Sequence, residues 1–246
     1  MTQELRRVQQ AEAVRRSRRR RIIAWVGGIV IVGLVAAIVL AVVRAGSDER
    51  TLPPVTGDVL VPQNLSPTGA IPVGAATAPV TVEIFFDYMC PACGAFEAAN
   101  AGELDRLLQA GTVRFELRPL AFLDEQSSGT EYSTRTANAI ATVANAAPDH
   151  VWDFHSALYE QQPSEGSDGL TDEQIAGIAA DAGVPADVVS TFTDGTYESW
   201  VASVTQEAFD SGIQGTPTVK IDGAVFAGDV YSEGPLTEAI EAAAAG

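Results

Sequence analysis

Lysine occurs once in this chain of 246 residues, at position 220, and cations of any kind are scarce beyond the first 44 positions. Of 15 basic and 32 acidic residues, nine and two fall in residues 1–44, which leaves six against 30 in the remainder, a net near −24. So acidic a surface repels phosphate backbones, which argues against nucleic acid as a partner of this part. The acidity itself speaks for solubility, or for adaptation of a whole proteome to its surroundings, and carries no substrate information. Cysteine is nearly as rare, with Cys90 and Cys93 the only two. They form a structural staple, half of a metal site, or a pair that opens and closes as chemistry.

Charge is absent altogether from "IIAWVGGIVIVGLVAAIVLAVV", residues 22–43. At about 1.5 Å per residue such a helix spans roughly 30 Å of hydrocarbon, which predicts a transmembrane helix over Ile22–Val43. Arg15, Arg16, Arg18, Arg19, Arg20 and Arg21 stand just before it. Basic residues concentrate on the cytoplasmic side, so the tail 1–21 is expected inside and the C-terminal bulk outside. A cleaved signal peptide is the rival reading, since Val43 and Ala45 resemble the small residues of a cleavage site. Its apolar region usually runs only about 7–15 residues, which favours an uncleaved anchor.

Residues 44–70 hold Pro53, Pro54, Pro62 and Pro67 without a sustained period, and read as an extended linker. A domain is expected over 71–246, long enough to bury a core. "PVTVEIFFDY" is a near-continuous β-branched and aromatic run, as in a buried central strand. "CPACGAFEAANAGELDRLLQA" then opens a helix with Pro91 in its first turn and stops at Gly111, before a second strand in "TVRFELRPLAF". Together they make a βαβ unit. Helical spacing follows over about 127–212, including a capping box from Thr171 to Gln174. Strands return in "GTPTVKIDGAVFAG", with Asp222-Gly223 as a hairpin turn, and a last helix runs from about Gly234 to Ala245.

A disulfide between Cys90 and Cys93 closes a tiny ring and removes little entropy from the unfolded chain, so a purely structural role is disfavoured. A zinc site with His150 and His155 is disfavoured too, because 56 residues separate Cys93 from His150, against about 12–15 in a zinc finger. His155, in "VWDFHSALY", has apolar neighbours and reads as a hydrogen-bonded core histidine. No metal ligand set and no cofactor is called for. Thiol–disulfide exchange remains the favoured reading. A free cysteine near pKa 8.5 is only about 3% thiolate at pH 7, whereas one brought down to about 6 by a helix N-terminus is roughly 90% thiolate. Cys93, one turn further in, stands ready to resolve a mixed disulfide.

The segments "PVTVEIFFDYMCPACGAF", "VWDFHSALYEQQ" and "GIQGTPTVKIDG" together resemble the thioredoxin superfamily, and within it the DsbA-like thiol:disulfide oxidoreductases of the membrane-tethered bacterial kind. The resemblance implies an α/β thioredoxin-like fold with an inserted helical domain, Cys90 as nucleophile, Cys93 as resolving thiol, and a cis bond at Thr216–Pro217 that leaves the Thr216 backbone free for an extended substrate. Two departures stand out. Many relatives bury a carboxylate six residues before the first cysteine, where this chain has Ile84; Glu83 should face the other side of the strand. Asp87 is the remaining candidate proton relay, although a carboxylate at a loop start is more often a solvated cap. Ala92 stands where strongly oxidising members can have histidine.

The leading expectation is a bacterial, membrane-anchored, extracytoplasmic oxidoreductase that gives disulfides to reduced or misoxidised exported proteins and is reset by a membrane redox partner. A reductase or isomerase using the same site is the alternative. A non-catalytic thioredoxin-fold binding module is a third.

Overall fold

Among residues 52–246, which a computed structural model describes, five strands form one mixed sheet: β1 (Ile71–Val73), β2 (Val80–Phe86), β3 (Val113–Pro119), β4 (Thr218–Ile221) and β5 (Ala224–Val225). Their order is β1-β3-β2-β4-β5, with β2 parallel to β3 and antiparallel to β4. The apolar run of β2 fits its place in the middle: Ile84 pairs with Leu117 on one side and Val219 on the other. Val80, Val82, Ile84, Phe85 and Phe86 are all buried. The expected transmembrane helix Ile22–Val43 and the basic tail lie outside the described residues. Within them no helix is long and apolar enough to cross a membrane.

The crossover from β2 to β3 is α1 (Pro91–Gln109). It starts where it does because Cys90 is extended, at φ −72° and ψ 116°, while Pro91 carries a preset helical φ and gives up no needed N–H. It ends at Gly111, whose φ of 68° suits a residue without Cβ; the amides of Gly111 and Thr112 return to the carbonyls of Leu108 and Leu107. Cys93, Phe96, Glu97, Asn100, Leu104 and Leu107 form its buried face, at helical spacing.

Between β3 and β4 the chain inserts α2 (Tyr132–Ala146), α3 (Val151–Glu160), α4 (Asp172–Asp181), the single turn α5 (Ala186–Val189) and α6 (Glu198–Asp210). The thioredoxin-like fold with a helical insertion is therefore present. Helix α2 is buried nearly all round, and Asn138 on it is satisfied from the insertion: it donates to the Phe192 carbonyl and accepts from the Tyr197 amide. The ring of Phe115 on β3 stacks on Trp152 of α3 with centroids 4.8 Å apart, joining sheet to insertion. Burying such an aromatic side chain stabilises the fold by about 2–3 kcal/mol. Both arms of the capping box at Thr171 and Gln174 form at the start of α4. The last helix, α7 (Pro235–Ala245), follows the β4–β5 hairpin, whose turn residues Asp222 and Gly223 both have positive φ.

Two features depart from the pattern read in the sequence. Strand β1 has only three residues, one of them Pro72, and pairs antiparallel with β3; so short a segment carries no alternation to detect. The described part of the proline-rich stretch does not run free. Gln63 and Asn64 hydrogen-bond the end of α2, Thr68 donates to Glu116 at 2.6 Å, and Ala70 is buried.

Candidate active site

The site is built where β2 hands over to α1. The Cys90 amide donates to the Asp87 carbonyl at 3.0 Å, and the Cys90 carbonyl accepts from the amides of Cys93 and Gly94, so the residue is fixed as the helix N-cap. Its sulfur therefore lies at the positive end of the helix, where the Ala92 and Cys93 amides act on it. Across the sheet, the thiol donates to the Thr216 carbonyl at 3.3 Å, and the Thr216–Pro217 peptide bond is cis. Three residues singled out in the sequence, Cys90, Thr216 and Pro217, thus meet at one point although 126 positions separate Cys90 from Thr216.

The two cysteines are free thiols in unlike settings. Cys90 keeps 8% of its surface, and Cys93 keeps none. A hydrogen bond from Cys93 is the main cause that brings the Cys90 thiol down to about 6; contact with Thr216 and the Cys93 and Ala92 amides adds to it, against the opposing effect of burial. Burial pushes Cys93 well above the ordinary thiol range, and the neighbouring Cys90 adds to that. Near neutral pH one sulfur is a thiolate and its neighbour holds a proton.

Asp87 is fully buried, which differs from the solvated cap that its loop position suggests. One carboxylate oxygen accepts from the Met89 amide at 2.8 Å and the Ser133 hydroxyl at 2.6 Å, and the other from the Leu123 amide at 2.9 Å. Burial raises its carboxyl to about 7 in spite of those three donors. Glu83 faces away, as its strand position requires: it pairs with Arg118 at 2.6 Å and Lys220 at 3.3 Å. Ile84 lies in the core.

Further side chains surround the site, of which the sequence singled out His155 alone and gave no signal for Tyr159 or Gln162. His155 is buried and lies 3.0 Å from both Tyr88 Oη and Glu97 Oε1, so the core histidine expected in "VWDFHSALY" links α1 to the residue before Met89. Glu97 stands one helical turn after Cys93, a spacing that the sequence does contain. Tyr159 donates to the Asp87 carbonyl, and Gln162 donates to the carbonyls of Tyr88 and Cys90. Among the described residues no group of three His, Cys, Asp or Glu side chains is placed to hold a metal ion.

Known proteins share both this sequence pattern and this fold. The family model described as Thioredoxin matches residues 66–242. Serine/threonine-protein kinase PknE of Mycobacterium tuberculosis is 30% identical over 155 residues, which are 60% of this chain and only 27% of the kinase's length. Disulfide bond formation protein D of Bacillus subtilis is 28% identical over 157 residues, 63% of this chain and 68% of its own. The crystal structure of oxidised BdbD from Bacillus subtilis matches with a TM-score of 0.63 at 26% identity, over 77% of this chain and 100% of BdbD.

Proposed function

We propose, for a chain that belongs to the thioredoxin family as a DsbA-like member, that it is a protein thiol:disulfide oxidoreductase which donates its Cys90–Cys93 disulfide to exported proteins. The observation that carries this reading is the asymmetry of the two sulfurs: Cys90 at the rim with its thiol near 6, Cys93 buried with its thiol held protonated.

In the donating direction, a client thiolate attacks the Cys90 sulfur. The Cys90–Cys93 bond breaks, a mixed disulfide forms, and Cys93 leaves as a thiolate that takes up a proton. A second client thiolate then attacks the client sulfur of the mixed disulfide and expels Cys90. The client gains one disulfide, the enzyme becomes a dithiol, and two electrons have moved to it. A sulfur that is stable as a thiolate is the better leaving group, so the low Cys90 value favours release. Thr216, beside the sulfur, would align an extended client segment. Asp87, with its carboxyl near 7 and its main chain against the Cys90 amide, would pass the proton that Cys93 exchanges.

The apolar run Ile22–Val43 and its arginine flank support a single-pass anchor in a bacterial cell membrane, with the basic tail 1–21 inside and the domain outside. The linker 44–70 and the domain 71–246, with its insertion, then follow in order. A membrane partner would reoxidise the dithiol, and an oxidising compartment lets the disulfide persist.

The test is disulfide transfer from the purified, oxidised chain to a reduced, unfolded protein. One disulfide per molecule is expected from the native chain and none from Cys90→Ser. Identical behaviour of the two would dismiss the reading.

A further inference from the structure

Gln162 lies two residues beyond α3, and its side-chain amide reaches back under the start of α1. Nε2 donates to the Tyr88 carbonyl at 3.1 Å and to the Cys90 carbonyl at 2.8 Å. The two acceptors use both N–H bonds of the amide and fix which end faces the site. Room for the other end exists because residue 94 is glycine: a Cβ there would fall on the Gln162 amide oxygen. Gly94 is otherwise an odd choice in a helix interior, where alanine is favoured. The glycine and the glutamine therefore read as one device.

The geometry points to Gln162 as a positioning residue that holds Cys90 in its extended N-cap conformation and so keeps the sulfur aimed at the amides of the first turn. The inference rests on Cys90 being the attacking and leaving sulfur. Gln162 touches no sulfur; it acts through the two carbonyls on either side of the Met89 and Cys90 backbone. Its two donated protons also offset the partial negative charge of those carbonyl oxygens, which would otherwise oppose a thiolate nearby. Without that tie, Cys90 can turn away from the helix N-terminus, and its thiolate loses the stabilisation that the amides provide.

Cys93 and Glu97 come from α1, Asp87 from the loop that follows β2, Tyr159 and Glu160 from α3, Glu165 from the loop after Gln162, and Tyr231 from the loop ahead of α7. None of them bonds the Cys90 carbonyl; Gln162 is the side chain that does.

The experiment is the pH dependence of Cys90 alkylation in the full-length chain, compared across native protein, Gln162→Ala, Gln162→Glu, Gly94→Ala and the double variant Gly94→Ala/Gln162→Ala. Loss of the amide donors should move the alkylation midpoint up by roughly 0.5–1 pH unit in Gln162→Ala, and by at least as much in Gln162→Glu, whose carboxylate faces two carbonyl oxygens. Gly94→Ala should reproduce the shift by displacing the amide, with the helix gain from alanine offsetting part of the lost hydrogen bonds so that the chain stays folded. The double variant should shift no further than the larger single change. A native midpoint in the Gln162→Ala and Gly94→Ala chains, both folded by circular dichroism, would overturn the assignment. If instead the native chain itself alkylates with the profile of an ordinary thiol, the proposed function fails first and the role of Gln162 with it.

Discussion

The Cys90 thiol lies 3.3 Å from the Thr216 carbonyl, so the start of α1 and the approach to β4 meet at a single sulfur. The carbonyl favours the protonated thiol, whereas the Thr216 side chain, together with Cys93 and the helix amides, favours the thiolate; the balance puts Cys90 at about 6. Alkylation of the reduced chain is expected to rise with a midpoint near pH 6 at one cysteine only, with Cys93 silent until far higher pH. Thr216→Val keeps the carbonyl and removes the hydroxyl, so its midpoint should move upward. Mass spectrometry of the alkylated peptide reads both results.

Stability of the reduced form should follow the same thiol. The folded value of Cys90 is depressed from 9.0 to about 6, so its contribution is present above about pH 9 and is lost as pH falls through about 6. Urea denaturation of the reduced chain should show rising stability between those limits, and Cys90→Ser should remove the rise.

Asp87 works in the opposite sense. Its folded value is raised from 3.8 to about 7, so the native state binds more protons than the unfolded chain between these values. Its contribution is complete below about pH 4 and disappears as pH climbs through 7, up to about 4 kcal/mol over the window. Asp87→Asn should flatten the stability profile in that range. If Asp87 also passes a proton to Cys93, the pH profile of disulfide exchange should lose an inflection near 7 in the same variant.

His155 holds two buried polar groups together. His155→Leu leaves the Tyr88 hydroxyl and Glu97 without their partner, and Glu97 Oε2 already lacks one. A loss of about 3–5 kcal/mol in chemical denaturation is expected. His155→Leu combined with Glu97→Leu should cost less than the sum of the two, because the buried carboxylate is then gone.

The parts of this molecule that were legible in its sequence have local causes. The apolar run of β2, Pro91 after an extended Cys90, Gly111 behind α1, the Thr171–Gln174 box and the Asp222-Gly223 turn are each decided within a few residues. Period-2 alternation likewise put Glu83 on the face where Arg118 and Lys220 meet it. What was not legible depends on distant partners. Asp87 is buried because Ser133 and the Leu123 amide come to it from 46 and 36 positions away. Gln162 matters because the chain returns it to Cys90 across 72 positions, into a gap left by Gly94. Neither juxtaposition has a periodicity or a turn signal behind it.

About 30 mV already changes a two-electron equilibrium tenfold, so the resting state of the Cys90–Cys93 pair reports which way electrons flow. Acid quenching of intact cells, followed by thiol labelling and mass measurement of this chain, tests it most directly. A donor of disulfides predicts that Cys90 and Cys93 rest as a disulfide, with a dithiol accumulating when membrane reoxidation is blocked. A pair found as a dithiol at rest would contradict the account and identify a reductase or isomerase.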